Sequence, residues 1–307
     1  MWAITGSYGV RLTQVRDFVA VAEAGSISSA ARTLGVSQPG LTKSIGSLEA
    51  ELNVSLLQRT PRGVSLTRFG RAFYARARAA HSELEKARHE VLQLAGLRTG
   101  QVAVGFGPLA AALVLPPAVL QFQPLYPDVE VRLIEGFAHA LLPLVRDETL
   151  DIVIGPRLPS YRNDASLRFR PIFHNDQVVV GRKGHPLAGA RSITELSAAH
   201  WLSFEPRPVV DRVFAALGLP GARKLMQCES LNVLVALLAT SDLLAVTSTR
   251  VLSLPQSGKS LQRIPISERI PPMATGLYMR ADTPLTRPAA AMAKVLVDIG
   301  RSLATRG

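Results

Sequence analysis

Apolar residues recur at helical spacing through most of the first hundred residues. Val15, Phe18, Val19 and Ala22 follow the i, i+3, i+4, i+7 rule and predict a first helix that begins near Leu12. Two shorter patterns follow, an Ala-rich one at residues 27–34 and a longer one at residues 38–52. The pattern therefore predicts three consecutive helices before any β-structure.

The third of these helices has two different faces. Its core face carries four aliphatic residues, which are Leu41, Ile45, Leu48 and Leu52. Gln38, Thr42 and Lys43 occupy the opposite face, where such side chains reach base edges and phosphates. Ser37 is suited to cap the helix, and Pro39 suits its first turn. Two helices joined by a tight Gly-containing turn are typical of the helix-turn-helix, which predicts duplex DNA as the ligand.

A small hairpin is predicted directly after the three helices. Residues 56–59 and 64–67 read as two strands that flank the turn Thr60-Pro61-Arg62-Gly63. The hairpin and the residues after it carry arginines with no acidic residue among them, namely Arg59, Arg62, Arg68, Arg71, Arg76 and Arg78. Charge of a single sign at this density favours binding to a phosphate backbone.

The stretch S-x-S-S-A-A-R-T-L-G-V-S-Q-P-G-L-T-K-S-I-x-x-L-E-x-E-L, followed by L-x-R-T-x-R-G-V-x-L-T-x-F-G, resembles LysR-type transcriptional regulators. The resemblance is specific over residues 11–70, with departures at Gly40, Asn53 and Leu57. It implies a winged helix-turn-helix domain at residues 11–67. Residues 1–10 precede its first helix and are interpreted as a flexible extension, with a different start codon as the alternative. The DNA-binding residues expected from face geometry and resemblance together are Ser37, Gln38, Pro39, Thr42, Lys43, Arg59 and Arg62.

A long helical pattern without proline covers residues 68–96. Its apolar positions alternate in steps of four and three, which is a heptad seam: Phe73, Ala77, Ala80, Leu84, Ala87, Val91 and Leu94. One alternative is a helix packed on the core of its own domain. The resemblance implies instead a linker helix through which two subunits dimerise. Residues 96–100 then read as a hinge.

From residue 101 apolar strands alternate with helices, which predicts α/β layers with mostly parallel sheets. Predicted strands lie at 101–106, 129–134, 151–155, 177–181, 201–204, 224–228 and 243–247. Predicted helices lie at 109–123, 138–146, 209–217, 230–240 and 287–304. The resemblance implies that residues 101–307 form an effector-binding domain similar to periplasmic binding proteins. Its first subdomain is placed at 101–171 with 272–307, and its second at 172–271.

Ligands of open α/β sheets bind at the carboxyl ends of strands. Four strand ends are expected to converge between the subdomains, and their residues are Phe106, Gly107, Pro108, Leu109, Phe137, Ala138, His139, Ser203, Phe204, Thr247 and Ser248. Relatives commonly carry Ser or Thr at the first two places, where they hold a carboxylate. Pro108, Leu109 and Ala138 depart from that pattern, which weakens the inference of a bound carboxylate. Phe106, Phe137 and Phe204 are expected to line the pocket, so a small organic effector of apolar or aromatic character is expected and no cofactor. Ordinary loop residues around a vestigial pocket are the alternative.

Composition narrows the classes of partner and compartment. The formal net charge of +12 favours an anionic partner. One cysteine, Cys228, excludes an intramolecular disulfide and suits a reducing cytoplasm. No Cys/His cluster has zinc spacing, the first residues lack a signal-peptide pattern, and no apolar run is long enough for a membrane span. A cytoplasmic protein without metal or membrane is therefore expected.

Three classes of function remain to be weighed. The leading hypothesis is a sequence-specific regulator whose dimers, assembled into tetramers, bind an inverted-repeat operator and respond to a small molecule. RNA polymerase is a further candidate partner. The second is a non-specific DNA-binding and oligomerising protein without a physiological effector. The third is an enzyme or solute-binding protein. It is disfavoured because G-x-S-x-G, H-E-x-x-H, P-loop and G-x-G-x-x-G motifs are all missing from the sequence.

Overall fold

The computed structural model describes most of the chain, namely residues 9–61, 63–94, 100–219, 221–222, 224–255, 257 and 259–304. Residues 1–8 of the predicted extension, the wing residue Arg62 and positions 96–99 of the predicted hinge lie outside the described residues. The described part of the chain divides near residue 99 into two compact units.

The first unit contains three short helices, a two-stranded hairpin and one long helix. Its elements are α1 (Leu12–Ala24), α2 (Ile27–Leu34), α3 (Gln38–Leu52), β1 (Leu57–Thr60), β2 (Gly63–Leu66) and α4 (Arg68–Leu94). Left-handed residues end each of the short helices, with φ 60° at Gly25, 65° at Gly35 and 52° at Asn53. Asparagine tolerates this conformation, so the departure at Asn53 preserves the helix end.

The core of the first unit is formed by the apolar faces that the sequence predicts. Phe18, Leu41 and Leu48 are almost fully buried in it. The hairpin and the start of α4 close over this core. A Cβ at Gly70 would lie 2.0 Å from the carbonyl oxygen of Leu56, so only glycine permits this approach of α4 to the chain before β1.

The second unit is an α/β structure with two five-stranded sheets in its described part. The first sheet has the order β4-β3-β5-β12-β6 and is formed by β3 (Gly100–Phe106), β4 (Val129–Glu135), β5 (Ile152–Pro156), β6 (Leu167–Asn175) and β12 (Met273–Arg280). Its helices are α5 (Pro108–Leu113), α6 (Leu115–Phe122), α7 (Ala138–Arg146) and α10 (Arg287–Ala304). One core cluster joins α5, α6 and α10 to this sheet, and another joins α7 to it.

The second sheet has the order β11-β7-β10-β8-β9. Its strands are β7 (Gln177–Arg182), β8 (His200–Ser203), β9 (Lys224–Gln227), β10 (Leu243–Ser248) and β11 (Leu261–Ile264). The helices α8 (Arg207–Ala216) and α9 (Leu231–Thr240) pack on it. Trp201 on β8 is almost fully buried against Phe214 of α8, with ring centroids 4.7 Å apart.

The structure corrects four details of the expectation for this unit. The sheets are mixed and not mostly parallel, because β6, β7, β11 and β12 pair in antiparallel fashion. The strands β6, β11 and β12 are additions to the predicted set. The helix predicted at 109–123 is two helices that divide at Val114, since Pro116 and Pro117 begin a new first turn. The first crossing between subdomains follows Asn175, whose pairing with Met273 keeps all of β6 in the first sheet.

Candidate DNA interface and ligand cleft

The exposed face of α3 gathers the side chains that the sequence assigns to DNA. The N-cap residue and four residues of the first two turns are all exposed, namely Ser37, Gln38, Pro39, Thr42 and Lys43. The Ser37 hydroxyl accepts the backbone N–H of Gly40 at 3.2 Å, as a helix N-cap does. The Thr42 hydroxyl donates to the Gln38 carbonyl at 3.0 Å, so the oxygen lone pairs and the methyl group remain for an outside partner.

The hairpin places one predicted phosphate contact on the surface. Arg59 on β1 is exposed and faces Val64 of β2 in an antiparallel pair. Arg62 lies outside the described residues. Arg71, close by in sequence, donates to the carbonyl oxygen of Leu66 at 2.9 Å, which ties the start of α4 to the hairpin.

The predicted heptad seam on α4 falls into two parts. Phe73 meets Phe18 edge to face with ring centroids 5.3 Å apart, and Ala77 is 4% exposed in the core of the same unit. Phe73 and Ala77 therefore pack in the core of their own domain and are not available to a second subunit. This is the arrangement that the alternative to a dimer seam predicts. Further along, Leu84 is 45% and Val91 65% exposed.

The remaining seam positions extend that exposed part. Ala80 and Ala87 are exposed as well, while the side chain of Leu94 lies outside the described residues. The apolar stripe without cover in this chain therefore runs from Ala80 to Val91. We call these four residues, Ala80, Leu84, Ala87 and Val91, the outer seam.

A cavity of about 170 Å³ lies between the two sheets of the second unit. It is formed where β3, β4, β5, β8 and β10 end, as expected for ligand sites in α/β sheets. Ten of the eleven residues predicted for an effector line it, namely Gly107, Pro108, Leu109, Phe137, Ala138, His139, Ser203, Phe204, Thr247 and Ser248. The eleventh, Phe106, is 8% exposed and packs in the core behind the first sheet, so that expectation is wrong.

Aromatic side chains from both subdomains meet at the cavity. Phe137 follows β4 and Phe204 follows β8, and their ring centroids are 5.8 Å apart. The His139 ring stacks on Phe137 at 6.3 Å, while its Nε2 lies 4.0 Å from an Oε1 of Glu229. The lining is otherwise mainly aliphatic, so the cavity suits an apolar ligand.

A buried polar cluster lies in the lining where the chain first crosses between the sheets. Asn175 donates from Nδ2 to the Thr275 hydroxyl at 2.8 Å, and the Ser248 hydroxyl donates to its Oδ1 at 3.4 Å. Sequence reasoning missed Asn175 and Thr275, because both belong to strands that it did not predict. Their hydrogen bonds join β6 and β12 of the first sheet to β10 of the second.

Glu205 is the one carboxylate of the described lining. It follows Phe204 in the loop after β8, where its backbone N–H donates to the Ser203 hydroxyl at 2.9 Å. Burial raises the pKa of the Glu205 carboxyl, and the nearby His139 lowers it to a lesser extent. Sequence reasoning names Ser203 and Phe204 of this loop and misses Glu205, although an acidic residue next to apolar ones was the available signal.

Among the described residues, no group of three or more His, Cys, Asp or Glu side chains is placed to hold a metal ion. None of the helices there combines the length and the apolar character needed to cross a bilayer.

A winged helix-turn-helix unit and a two-subdomain ligand-binding unit in one chain define a ligand-responsive transcriptional regulator. Comparisons with known proteins agree. The profile described as "Bacterial regulatory helix-turn-helix protein, lysR family" matches residues 12–71, and "LysR substrate binding domain" matches residues 95–300. The chain belongs to the LysR family of DNA-binding transcriptional regulators, which carry an effector-binding domain.

Relatives of similar length support the same assignment. The chain is 31% identical over 296 residues to the SDS degradation transcriptional activation protein of Pseudomonas sp., covering 94% of this chain and 95% of the relative. It is 30% identical over 280 residues to the transcriptional regulator PcaQ of Agrobacterium fabrum, covering 89% and 90%. Sequence-specific regulation is therefore the function of the chain, and the non-specific alternative is set aside.

Solved structures share the fold. A full-length OxyR variant from Pseudomonas aeruginosa superposes with a TM-score of 0.72 at 24% identity and covers 95% of both chains. Full-length CbnR complexed with its target DNA gives a TM-score of 0.66 at 20% identity and covers 94% of this chain and all of that one.

Proposed function

We propose that the cavity between the two sheets binds the small organic effector of this regulator, with no other cofactor. Binding of that ligand shifts the balance between arrangements of the protein on its operator. The size of such a shift is set by the difference in effector affinity between the arrangements. The regulator is proposed to act by binding alone, without catalysis, and to act in the cytoplasm.

The observation that carries this proposal is the lining of the cavity by strand ends of both subdomains. A ligand there contacts Phe137 on one side and Phe204 on the other, so it favours one relative placement of the two sheets. A dry cavity of ~150 Å³ holds one benzene ring. The cavity of about 170 Å³ therefore suits a single ring or a short branched chain with a small polar group.

We further propose that the outer seam of α4 pairs with the same segment of a second subunit. Its support is the exposure of Leu84 and Val91 on a helix whose neighbouring seam positions are small alanines, which permit close approach of two helices. Two subunits would then read the two halves of an inverted repeat. We also propose that two such dimers assemble into a tetramer and that the regulator contacts RNA polymerase.

Glycines that line the cavity allow a direct test of the ligand site. A Cβ at Gly107 or at Gly155 meets nothing within 4 Å, and neither residue has a positive φ. Gly107→Leu and Gly155→Leu should therefore occupy part of the cavity, since the Cβ of each is accommodated and both glycines belong to the lining. Gly189→Leu is the matched control, since its Cβ also meets nothing within 4 Å and it does not line the cavity.

The measurement is the DNase footprint on DNA fragments selected by the purified protein, with and without each member of a panel of small metabolites. The two filled variants should keep the ligand-free footprint and lose the ligand-dependent change. The control should keep both. A filled variant that responds with wild-type sensitivity would place the effector outside this cavity.

A further inference from the structure

The charge of the cavity lining contrasts with the charge of the whole chain. The sequence has 35 Lys and Arg residues against 23 Asp and Glu residues. Over the described residues, however, the lining contains neither lysine nor arginine, and its charged group is Glu205. Arg250 approaches the lining residue Phe173, with its guanidinium 5.6 Å from the ring centroid, but donates to the carbonyl oxygen of Leu303 and is not itself part of the lining.

The carboxylate of Glu205 lacks a hydrogen-bond donor within the described part of the protein. Its backbone N–H is held by Ser203, which fixes the loop. His139 lies near enough to influence the carboxyl electrostatically, but the side chain of His139 is 63% exposed and its Nε2 approaches Glu229. A partly buried acceptor without a donor is costly, and a ligand that donates to it recovers that cost.

Two helices that begin beside the cavity lack a side-chain donor for an anion at their first residue. Pro108 occupies the first position of α5 and has no N–H to donate. Ala138 begins α7 without a hydroxyl group. The Ser248 hydroxyl already donates to Asn175 and accepts the backbone N–H of Arg250, so its proton is not free for an anion.

We infer that the effector is a non-anionic molecule about the size of one aromatic ring, with an O–H or N–H group that donates to the carboxylate of Glu205. This inference rests on the proposed function of the cavity as the effector site. A ligand carboxylate is disfavoured, because it would meet Glu205 in a cavity whose described lining has no lysine or arginine. Protonated amines gain a hydrogen bond to the Glu205 carboxylate in which both partners are charged, whereas in the hydrogen bond from an alcohol only the acceptor is charged.

Three probes of similar size separate the ligand classes. Benzylamine, benzyl alcohol and benzoate each consist of one phenyl ring with one small substituent, and the charge of that substituent is positive, neutral and negative in turn. Their dissociation constants for the full-length protein are measured by ligand-observed NMR at neutral pH and fixed salt. Benzylamine and benzyl alcohol should each bind at least about 10-fold more tightly than benzoate, which corresponds to about 1.4 kcal/mol.

Two carboxylate variants assign the preference to a residue. Glu205→Gln keeps the shape and an acceptor oxygen, so it should lose the advantage of benzylamine over benzyl alcohol while still binding the alcohol. Glu229→Gln is the control. It also removes a carboxylate beside His139, but Glu229 does not line the cavity, and the order of the three probes should remain unchanged.

The possible failures can be told apart with Gly155→Leu, which fills the cavity. Benzoate binding as tightly as the other probes, and lost in Gly155→Leu, would overturn the inferred ligand class and leave the cavity as the effector site. An unchanged probe order in Glu205→Gln would overturn the part assigned to Glu205. Binding of no probe, or binding that survives Gly155→Leu, would overturn both the ligand class and the proposed site.

Discussion

The winged unit and the ligand cavity bring their functional side chains together in different ways. The DNA-facing residues of the winged unit belong to one helix start and one hairpin, all within residues 37–66. The cavity collects its lining from segments that extend from Gly107 to Thr275 and belong to two sheets. Local rules of helix periodicity and capping are therefore enough to place the first group, whereas the second depends on how strands pair across the fold.

The two regions also differ in charge. The exposed face of α3 carries Lys43, and the hairpin carries Arg59, as binding to phosphates requires. The cavity holds Glu205 and no lysine or arginine among its described lining. The positive net charge of the chain therefore does not predict the charge of its effector.

The largest effect is expected from substitutions in the outer seam, because the proposed dimer places two DNA-binding units on one operator. Replacing both Leu84 and Val91 with Asp puts charges into an apolar interface, where unpaired burial is costly. The dimer should dissociate, and operator affinity should fall by at least about 100-fold because half-sites are read in pairs. Sedimentation velocity and operator titration measure the two effects.

The matched control keeps the seam apolar. Leu84→Ala with Val91→Ala removes bulk without adding charge and should weaken the dimer far less than the Asp pair does. An intact dimer in the Asp variant would mean that the exposed part of α4 is not the subunit interface.

The next effect concerns direct reading of bases by α3. Thr42→Ala should relax sequence preference by ~1–3 kcal/mol at one base pair, as expected for loss of a specific contact. Thr42→Ser keeps the oxygen and Thr42→Val keeps the methyl group, so the pair shows which atom reads the base. Competition among operator variants gives the measurement, and a wild-type preference in Thr42→Ala would remove Thr42 from the readout.

Arg59→Ala supplies the contrast to Thr42. A phosphate contact carries no sequence information, so its loss should weaken all DNA about equally and reduce the salt slope by about one. A change confined to particular sequences would show instead that Arg59 reads bases.

Sequence reasoning recovered the helices better than the strands. The bounds of α2, α3, α7 and α10 agree with the predicted ones, because each helix has a continuous apolar period. The strand β6 was missed since its sequence contains Arg168, Arg170 and Pro171, which weaken an apolar pattern. As the edge strand of the first sheet, β6 tolerates this proline.

The same difference explains what was missed in the cavity. The loops after the predicted strands were placed correctly, because the carboxyl ends of parallel strands β3, β4 and β5 share one edge. Asn175 and Thr275 required the antiparallel pairing of β6 with β12, which no local pattern encodes. Phe106 was assigned to the lining although the alternation of a strand turns it into the core.

A smaller effect is expected on stability, and it tests the charge of the cavity lining through Glu205. Burial raises the pKa of the Glu205 carboxyl in the folded protein, with His139 opposing it and Glu229 beyond His139. The contribution of the Glu205 carboxyl to the free energy of unfolding is therefore complete below the ordinary pKa of a glutamate. It is lost as the pH rises through the raised pKa of the folded protein. Glu205→Gln should match wild type in acid and have a higher free energy of unfolding at neutral pH.

Urea unfolding at a series of pH values measures this difference. Glu229→Gln is again the control, because the Glu229 side chain is 54% exposed and removing it relieves no burial. A Glu205→Gln variant less stable than wild type at neutral pH would show that the carboxylate is already satisfied in the folded protein.

The smallest effect comes from a glycine of α3 and returns to the contrast between the two regions. A Cβ at Gly46 meets nothing within 4 Å, as at Gly155 in the cavity, but Gly46 is exposed in a helix interior. Gly46→Ala should therefore raise the free energy of unfolding by up to about 1 kcal/mol through helix propensity alone. Gly70→Ala should lower it, because its Cβ would meet the Leu56 carbonyl. Chemical unfolding followed by circular dichroism compares the two variants. A side chain added beside a glycine should therefore change the free energy of unfolding when the glycine lies in α3, and the response to ligand when it lies in the cavity. Equal effects of Gly46→Ala and Gly155→Leu on the ligand response would contradict that distinction.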